Sequence, residues 1–422
     1  MQSLIIQGLS VIMVFAGNLL LARWAGADEY GKYVHIFNWI SILAVIATGG
    51  REDLVLTELT QYHHSGQPRR IGLLIKRTNA HVLIASLLLG FLFITIITVF
   101  PIPALHEYRL DFLIAWGAVY FMAFLSLNQF ILQSLNYIRL SQITDRLIRP
   151  FLIIFLFGIL LVLGYHAGSR PLIVLVETDL GICCLILAVI LLKKTKTFFE
   201  PGGQVLHRDN LTRKTLYFFS ITMMTLIITK ISMLVLPYFA PRRDIGIFNV
   251  SYRFADLVVY PFFLMHSVLP QLFAKHTFAE AAYKQSLYNS STKMMTALCL
   301  PLLLVNVLAG RFLLGLFGKD FTAGYTAMIL LSVSQFFYSL FGPANTILMM
   351  QNREKQSAIC LLVYVVLLLL SNLLLVPLWG VTGGAVAMLV SCLIYNIILS
   401  VQAYRLSGVI SPFFAFLAGK GR

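Results

Sequence analysis

The 422-residue sequence predicts an all-α polytopic membrane protein, with about twelve transmembrane helices in two six-helix bundles. Three observations predict it. First, 59% of the residues are hydrophobic and only 12% are charged, and the mean hydropathy is +0.85. A soluble domain carries about 25% charged residues, so this chain cannot cover a water-facing surface and the bilayer is its main solvent. Second, the apolar residues gather into stretches long enough to cross a membrane, which takes about 20 residues. Third, the longest polar interval divides those stretches into two equal sets.

In order, the spans are read at 3–24, 33–57, 78–100, 110–134, 146–166, 171–192, 215–238, 245–272, 290–315, 322–350, 354–377 and 381–404. The first opens the chain. "MQSLIIQGLSVIMVFAGNLLLARWAG" lacks a basic n-region and its apolar stretch exceeds an h-region, so it reads as a spanning helix and not as a cleaved signal. The polar interval "KKTKTFFEPGGQVLHRDNLTRK" follows the sixth span and reads as a linker. The domains are therefore expected at 1–192 and 215–422, joined by a cytoplasmic linker at 193–214.

The net charge of +15 has its source in the loops. With an even number of spans both termini lie on one side. Of the 32 basic residues, 21 then fall on the side of the termini, 8 on the other side, and Arg51, Lys230 and Arg253 within spans. Lys and Arg collect in cytoplasmic loops, so both termini are expected in the cytoplasm. No basic stripe interleaved with aromatics appears, which argues against nucleic acid as a partner. Cys183, Cys184, Cys299, Cys360 and Cys392 all sit in apolar stretches and read as small buried hydrophobes. There is no HExxH, no triad spacing and no Walker A motif. Neither a metal site nor an enzyme is expected.

The halves match at an offset of 215. "WAGADEYGKY" (24–33) faces "FAPRRDIGIF" (239–248), and both link the first and second helices of their half. Six helices per half preserve the in/out sense, so the repeat is parallel, a common build for carriers whose substrate site lies at the repeat interface. Gly or Pro at corresponding positions marks such sites. The same offset sends Gly49-Gly50 to Leu264-Met265, which Pro261 and Pro270 bracket, and sets Arg51 opposite His266. These four glycines and prolines are the expected hinges.

Ionisable groups at membrane depth are costly and are functional candidates by default. Arg51, Glu52 and Asp53 follow the Gly-Gly pair. Either span two ends at Gly50 and they lie at the interface, or the helix kinks and they line a cavity. Lys230 and Arg253 each lie about eight residues from one end of antiparallel neighbours, so they share a level about 12 Å deep. Asp256, three residues beyond Arg253, shares its helix face. Arg253 and Asp256 form either a structural pair with Lys230 snorkelling outward or part of a cationic lining for an anionic substrate. Glu177 and Asp179 in span six either carry a proton or sodium ion or pair with those cations. Arg146 and Arg149 are expected to open span five from the inside. The candidate substrate-binding cations are therefore Arg51, Arg146, Arg149, Lys230, Arg253 and His266, and the ion-coupling candidates are Asp53, Glu177, Asp179 and Asp256.

Three stretches carry a family resemblance. "LLARWAGADEYGKYVHIFNWISILAVIATGG" resembles the opening of the polysaccharide-unit flippases (Wzx type), of the superfamily that includes multidrug and toxin extrusion transporters. "LFGKDFTAGYTAMILLSVSQ" (316–335) is similar to that family's ninth-to-tenth helix connection. "NLLLVPLWGVTGGAVAMLVS" (372–391) is similar to its eleventh-to-twelfth hairpin, with Pro377, Gly380, Gly383 and Gly384 in place. The sequence departs from the family in lacking a basic N-terminal head and in the extra charge of "GGRED". The resemblance implies a V-shaped pair of bundles around a central cavity. It also implies alternating access that moves an undecaprenyl-pyrophosphate-linked oligosaccharide across the bacterial inner membrane, as in O-antigen and lipopolysaccharide biosynthesis. It implies no cofactor beyond a coupled proton or sodium ion. Membrane lipid, a polysaccharide polymerase and a chain-length regulator are its implied partners. The alternatives are a multidrug/cation antiporter, a membrane glycan polymerase or ligase, and a lipid II flippase, whose branch has fourteen helices.

Overall fold

A computed structural model describes residues 2–100, 108–198, 209–266, 281–350 and 353–417, and every regular element among them is helical. By length and composition, seven of the described helices can cross a membrane. Two of these, Gly8–Thr48 and Lys355–Leu406, each hold two rods, because a single glycine leaves helical geometry inside them. Counted with those breaks and the shorter helices, the described residues hold the twelve rods that the sequence predicts. The chain divides into two compact units, Met1–Leu226 and Ile227–Arg422. The division falls within helix Asp209–Val235. Residues 199–208, the middle of the expected linker, lie outside the described residues.

In the first unit, Gly26 (φ 77°, ψ 171°) separates rods 2–25 and 27–48. The second rod ends at Thr48. Gly49 (φ 55°) and Gly50 (φ 72°) turn left-handed, and a separate 14-residue helix, Arg51–His64, begins after them. Span two therefore stops nine residues short of the expected position 57, because two successive left-handed residues swing the chain out of the helix.

Helix Pro68–Val99 follows, with proline at its start. It leaves Ile84, Leu87, Leu88, Phe91 and Leu92 exposed as an apolar stripe. This is the pattern of a helix whose outer face meets lipid.

Helices Arg109–Ile114 and Trp116–Ser134 make the fourth rod. The fifth starts at Ile138, not 146. Helix Ile138–Ile143, a π-helical turn Thr144–Ile148 and helix Arg149–Val162 run on continuously. Arg146 and Arg149 thus lie eight and eleven residues along this rod and not in its first turn. Helix Ser169–Thr195 is the sixth. Trp116–Ser134 is the hub, packed against Gln2–Thr48, Pro68–Val99, Ser169–Thr195 and Arg51–His64. Its Asn128, fully buried, exchanges hydrogen bonds of 2.8 and 3.2 Å with Asn79. Side-chain hydrogen bonds of this kind hold helices together where lipid offers no hydrophobic drive.

In the second unit the hub is Tyr325–Leu340, packed against Arg242–His266, Ala281–Phe317 and Glu354–Ser407. Asn306 donates to Ser332 Oγ (2.9 Å) and to the Phe254 carbonyl (3.0 Å), binding three of these helices at one point. Glu354–Ser407 turns at Gly380 (φ 53°, ψ −125°), a conformation closed to L-residues. All five cysteines are buried and free.

Candidate functional site

A break in a helix leaves orphan carbonyls on one side and orphan N–H groups on the other. The "GGRED" cluster answers that problem. Arg51 Nη1 turns back to the Thr48 carbonyl at 3.3 Å, at the end of the second rod. Glu52 and Asp53 occupy the first turn of the next helix, where the macrodipole favours anions. Glu52 is buried and accepts a hydrogen bond from Ser126 of the hub helix. Asp53 accepts one from Thr222 at 3.5 Å. Gly50 lies so near the backbone of helix Asp209–Val235 that a Cβ would fall 2.6 Å from the Thr215 carbonyl oxygen and 2.7 Å from Phe219 Cα. His81 approaches the same turn, its Nε2 4.0 Å from where a Gly49 Cβ would stand.

The π-turn Thr144–Ile148 holds Asp145 and Arg146, and Arg149 follows it directly. π-Bulges are frequent at functional sites. Arg149 pairs through Nη1 with Asp145 (3.4 Å) and through Nε with Asp179 (3.4 Å). The Asp179 carboxylate is fully buried and also faces Cys183 Sγ at 3.8 Å. Arg146 is half-buried in the same turn. Glu177, two residues from Asp179, does different work. Its carboxylate faces the Gly117 and Ala118 N–H groups at the start of helix Trp116–Ser134, where the Ala118 N–H also donates to the Ala115 carbonyl at 3.2 Å. A Cβ on Gly117 would meet Glu177 Oε1, so a side chain there would displace the carboxylate.

The second unit gathers Lys230, Arg253 and Asp256. Lys230 and Arg253 are near enough to repel each other, and Asp256 lies within reach of both. Arg253 Nε donates to Asn249 Oδ1 at 3.0 Å, one turn away on its own helix. Asp256 is exposed and accepts from Gln335 Nε2 at 3.2 Å and from the Tyr252 hydroxyl. Two cations and one carboxylate leave a positive remainder. Guanidinium and ammonium groups are the donors that bind phosphate oxygens.

The structure thus places Arg51 and Asp53 at a helix break, Arg149 with Asp179, Arg146 in the adjoining π-turn, and Lys230 with Arg253 and Asp256. Glu177 and Asp179 find partners within the first unit, not the cations of spans seven and eight. Pro261 stands inside helix Arg242–His266, which continues past it. The His266 side chain and Pro270 lie outside the described residues.

Sequence reasoning missed Ser126, Thr222, Tyr252, Asn249 and Gln335. They are neutral and carry no hydropathy signal. Asp145 was findable, being four residues before Arg149. Among the described residues no group of three or more His, Cys, Asp or Glu is placed to hold a metal ion.

The sequence matches the family described as "Polysaccharide biosynthesis protein" over residues 2–276, more than half of the chain. No curated protein matches it. Among solved structures, an inward-facing multidrug resistance MATE family transporter of the MOP superfamily aligns with a TM-score of 0.74 at 13% identity, covering 94% of each chain. The lipid II flippase MurJ, in an inward closed conformation, aligns at 0.72 and 15% identity, over 94% of this chain and 86% of that one. A MOP superfamily transporter from Pyrococcus furiosus, described as having a binding pocket of reverse polarity, aligns at 0.65 and 14% identity, over 96% and 94%. Likeness at this level of identity shows the fold.

Proposed function

The chain belongs to the polysaccharide biosynthesis protein family and has the fold of MOP-superfamily transporters, and from that premise we propose that it flips undecaprenyl-pyrophosphate-linked oligosaccharide repeat units across the bacterial cytoplasmic membrane by alternating access. The family match carries the reading, and the Lys230–Arg253 cluster supports it. The substrate joins an anionic pyrophosphate, a hydrophilic glycan and an apolar tail. The pyrophosphate needs fixed cations at membrane depth, and Lys230 and Arg253 are such a pair. The chain works as a transporter and not as an enzyme. Both termini face the cytoplasm, and the products feed a polysaccharide polymerase and a chain-length regulator in O-antigen assembly.

Proton or sodium coupling resides in Asp256 on this reading. Its carboxylate is exposed beside two cations, whereas Asp179 is closed into an ion pair and Glu177 caps a helix. The same carboxylate gives a second reading substance, a multidrug/cation antiporter, to which the likeness with a multidrug transporter adds. Proteoliposomes containing the full chain and a fluorescent undecaprenyl-pyrophosphate oligosaccharide test the proposal. Dithionite-inaccessible label should become accessible in a protein-dependent way. A chain that moves ethidium down an ion gradient and leaves the lipid-linked glycan in place would establish the antiporter.

A further inference from the structure

Spans five and six of the first unit leave an apolar groove between them. Leu156, Ile159, Leu160 and Leu163 form one wall, and Val174 and Leu175 the other, around a cavity of about 400 Å³. That is within the size range of small-molecule pockets, ~300–1,000 Å³. Leu160 and Leu175 form its buried floor, while Val174 stands 50% exposed at its rim.

The groove is polar at one end. Arg170 and Tyr165 stand at its mouth and Thr178 at its foot. Arg170 is the second residue of helix Ser169–Thr195, so the mouth lies at the end of a spanning helix. Thr178 is eight residues further along, about 12 Å deeper into the hydrocarbon. The apolar channel therefore runs along the helix axis, with a cation at interface level.

Arg170 stands among paired charges at this end of the unit. Asp111 is buried and holds two cations, Lys32 Nζ at 2.7 Å and Arg170 Nε at 3.0 Å. Glu29 accepts the Ser169 N–H at 2.6 Å, and Asp28 acts on Tyr108. The Arg170 side chain is 58% exposed. Its Nε is committed to Asp111, and the rest of its planar fork suits a phosphate.

We propose that this groove seats one acyl chain of an anionic glycerophospholipid, with its phosphate against Arg170 and Tyr165. A groove with an exposed guanidinium at its interface end and apolar for about 12 Å below it matches the polarity of a leaflet lipid held in its normal orientation. An undecaprenyl tail is several times longer than the channel. The site is separate from the Lys230–Arg253 cluster, and its test does not depend on transport.

The full chain is placed in phosphatidylcholine nanodiscs doped with either phosphatidylglycerol or phosphatidylcholine carrying a photoreactive acyl chain. Labelled peptides are then mapped. Residues 156–163 and 171–178 should take label, and the phosphatidylglycerol probe should be favoured about fivefold, the attraction of one basic residue for an anionic lipid. Arg170→Gln should abolish that preference while leaving some label. Val174→Trp, at an exposed rim position, should fill the groove and remove most of it. Three results would overturn the proposal: equal labelling by both probes in the unsubstituted protein, labelling indifferent to Val174→Trp in a protein of unchanged Tm, or displacement by undecaprenyl pyrophosphate but not by excess phosphatidylglycerol.

Discussion

Arg149 Nε stands 3.4 Å from Asp179 Oδ2, joining the fifth and sixth rods of the first unit through a carboxylate with no solvent exposure. The two atoms meet as charges and not as an aligned hydrogen bond. Removing one partner of a buried pair costs about 3–5 kcal/mol, while replacing both with apolar residues is often neutral. Arg149→Leu should therefore lower Tm in detergent sharply, and Arg149→Leu with Asp179→Leu should recover most of it. A single variant that keeps its Tm and loses only transport would show that Arg149 serves substrate and not structure.

Glu177 caps the start of helix Trp116–Ser134. Losing a capping side chain costs about 0.5–2 kcal/mol. Glu177→Gln keeps an acceptor oxygen and should transport normally. Glu177→Ala should lose stability. Loss of ion-driven transport in Glu177→Gln at unchanged Tm would assign Glu177 to coupling instead.

Gly50 combines φ 72° with backbone contact to Thr215 and Phe219. A side chain there meets a left-handed penalty of about 1–2 kcal/mol and an overlap that no rotamer relieves. Gly50→Ala should reduce the amount of folded protein in the membrane. Gly49→Ala should be milder, because its close neighbour is the flexible end of Arg51. Fluorescence-detected size exclusion compares the two.

Reversing the charge at Arg253 converts a cationic site to an anionic one beside Asp256. Arg253→Glu should abolish surface polysaccharide while the protein remains in the membrane at its usual level. Lys230→Gln should weaken it less, since Arg253 remains. Unchanged polymer in Arg253→Glu, read by gel staining of the cell-surface glycan, would remove the cluster from the substrate site.

Asp256→Asn keeps the Tyr252 and Gln335 hydrogen bonds available and removes the titratable charge. Gradient-driven accumulation in proteoliposomes should disappear, while exchange without a gradient persists. Accumulation still driven by a pH or sodium gradient would place coupling elsewhere.

The sequence by itself determined the solvent and the rods. Transfer of a side chain from water to hydrocarbon is a local cost that accumulates residue by residue, so runs of Leu, Ile, Val and Phe mark their own spans. Glycines such as Gly380 mark their own turns. It also singled out the charges at depth, because each is costly wherever it points. What those charges do was decided by the tertiary structure. Asp179 belongs to Arg149, 30 positions earlier, and Glu177 to the backbone at Gly117 and Ala118. Glu52 belongs to Ser126, and Asp256 to Tyr252 and Gln335. Such pairings depend on the rotation of each helix about its axis and on which helix stands beside it, and hydropathy carries neither. "GGRED" shows the division most plainly. The letters announce a break and three charges, but only the packed helices make Arg51 the partner of the carbonyl before the break and Glu52 and Asp53 the anions after it.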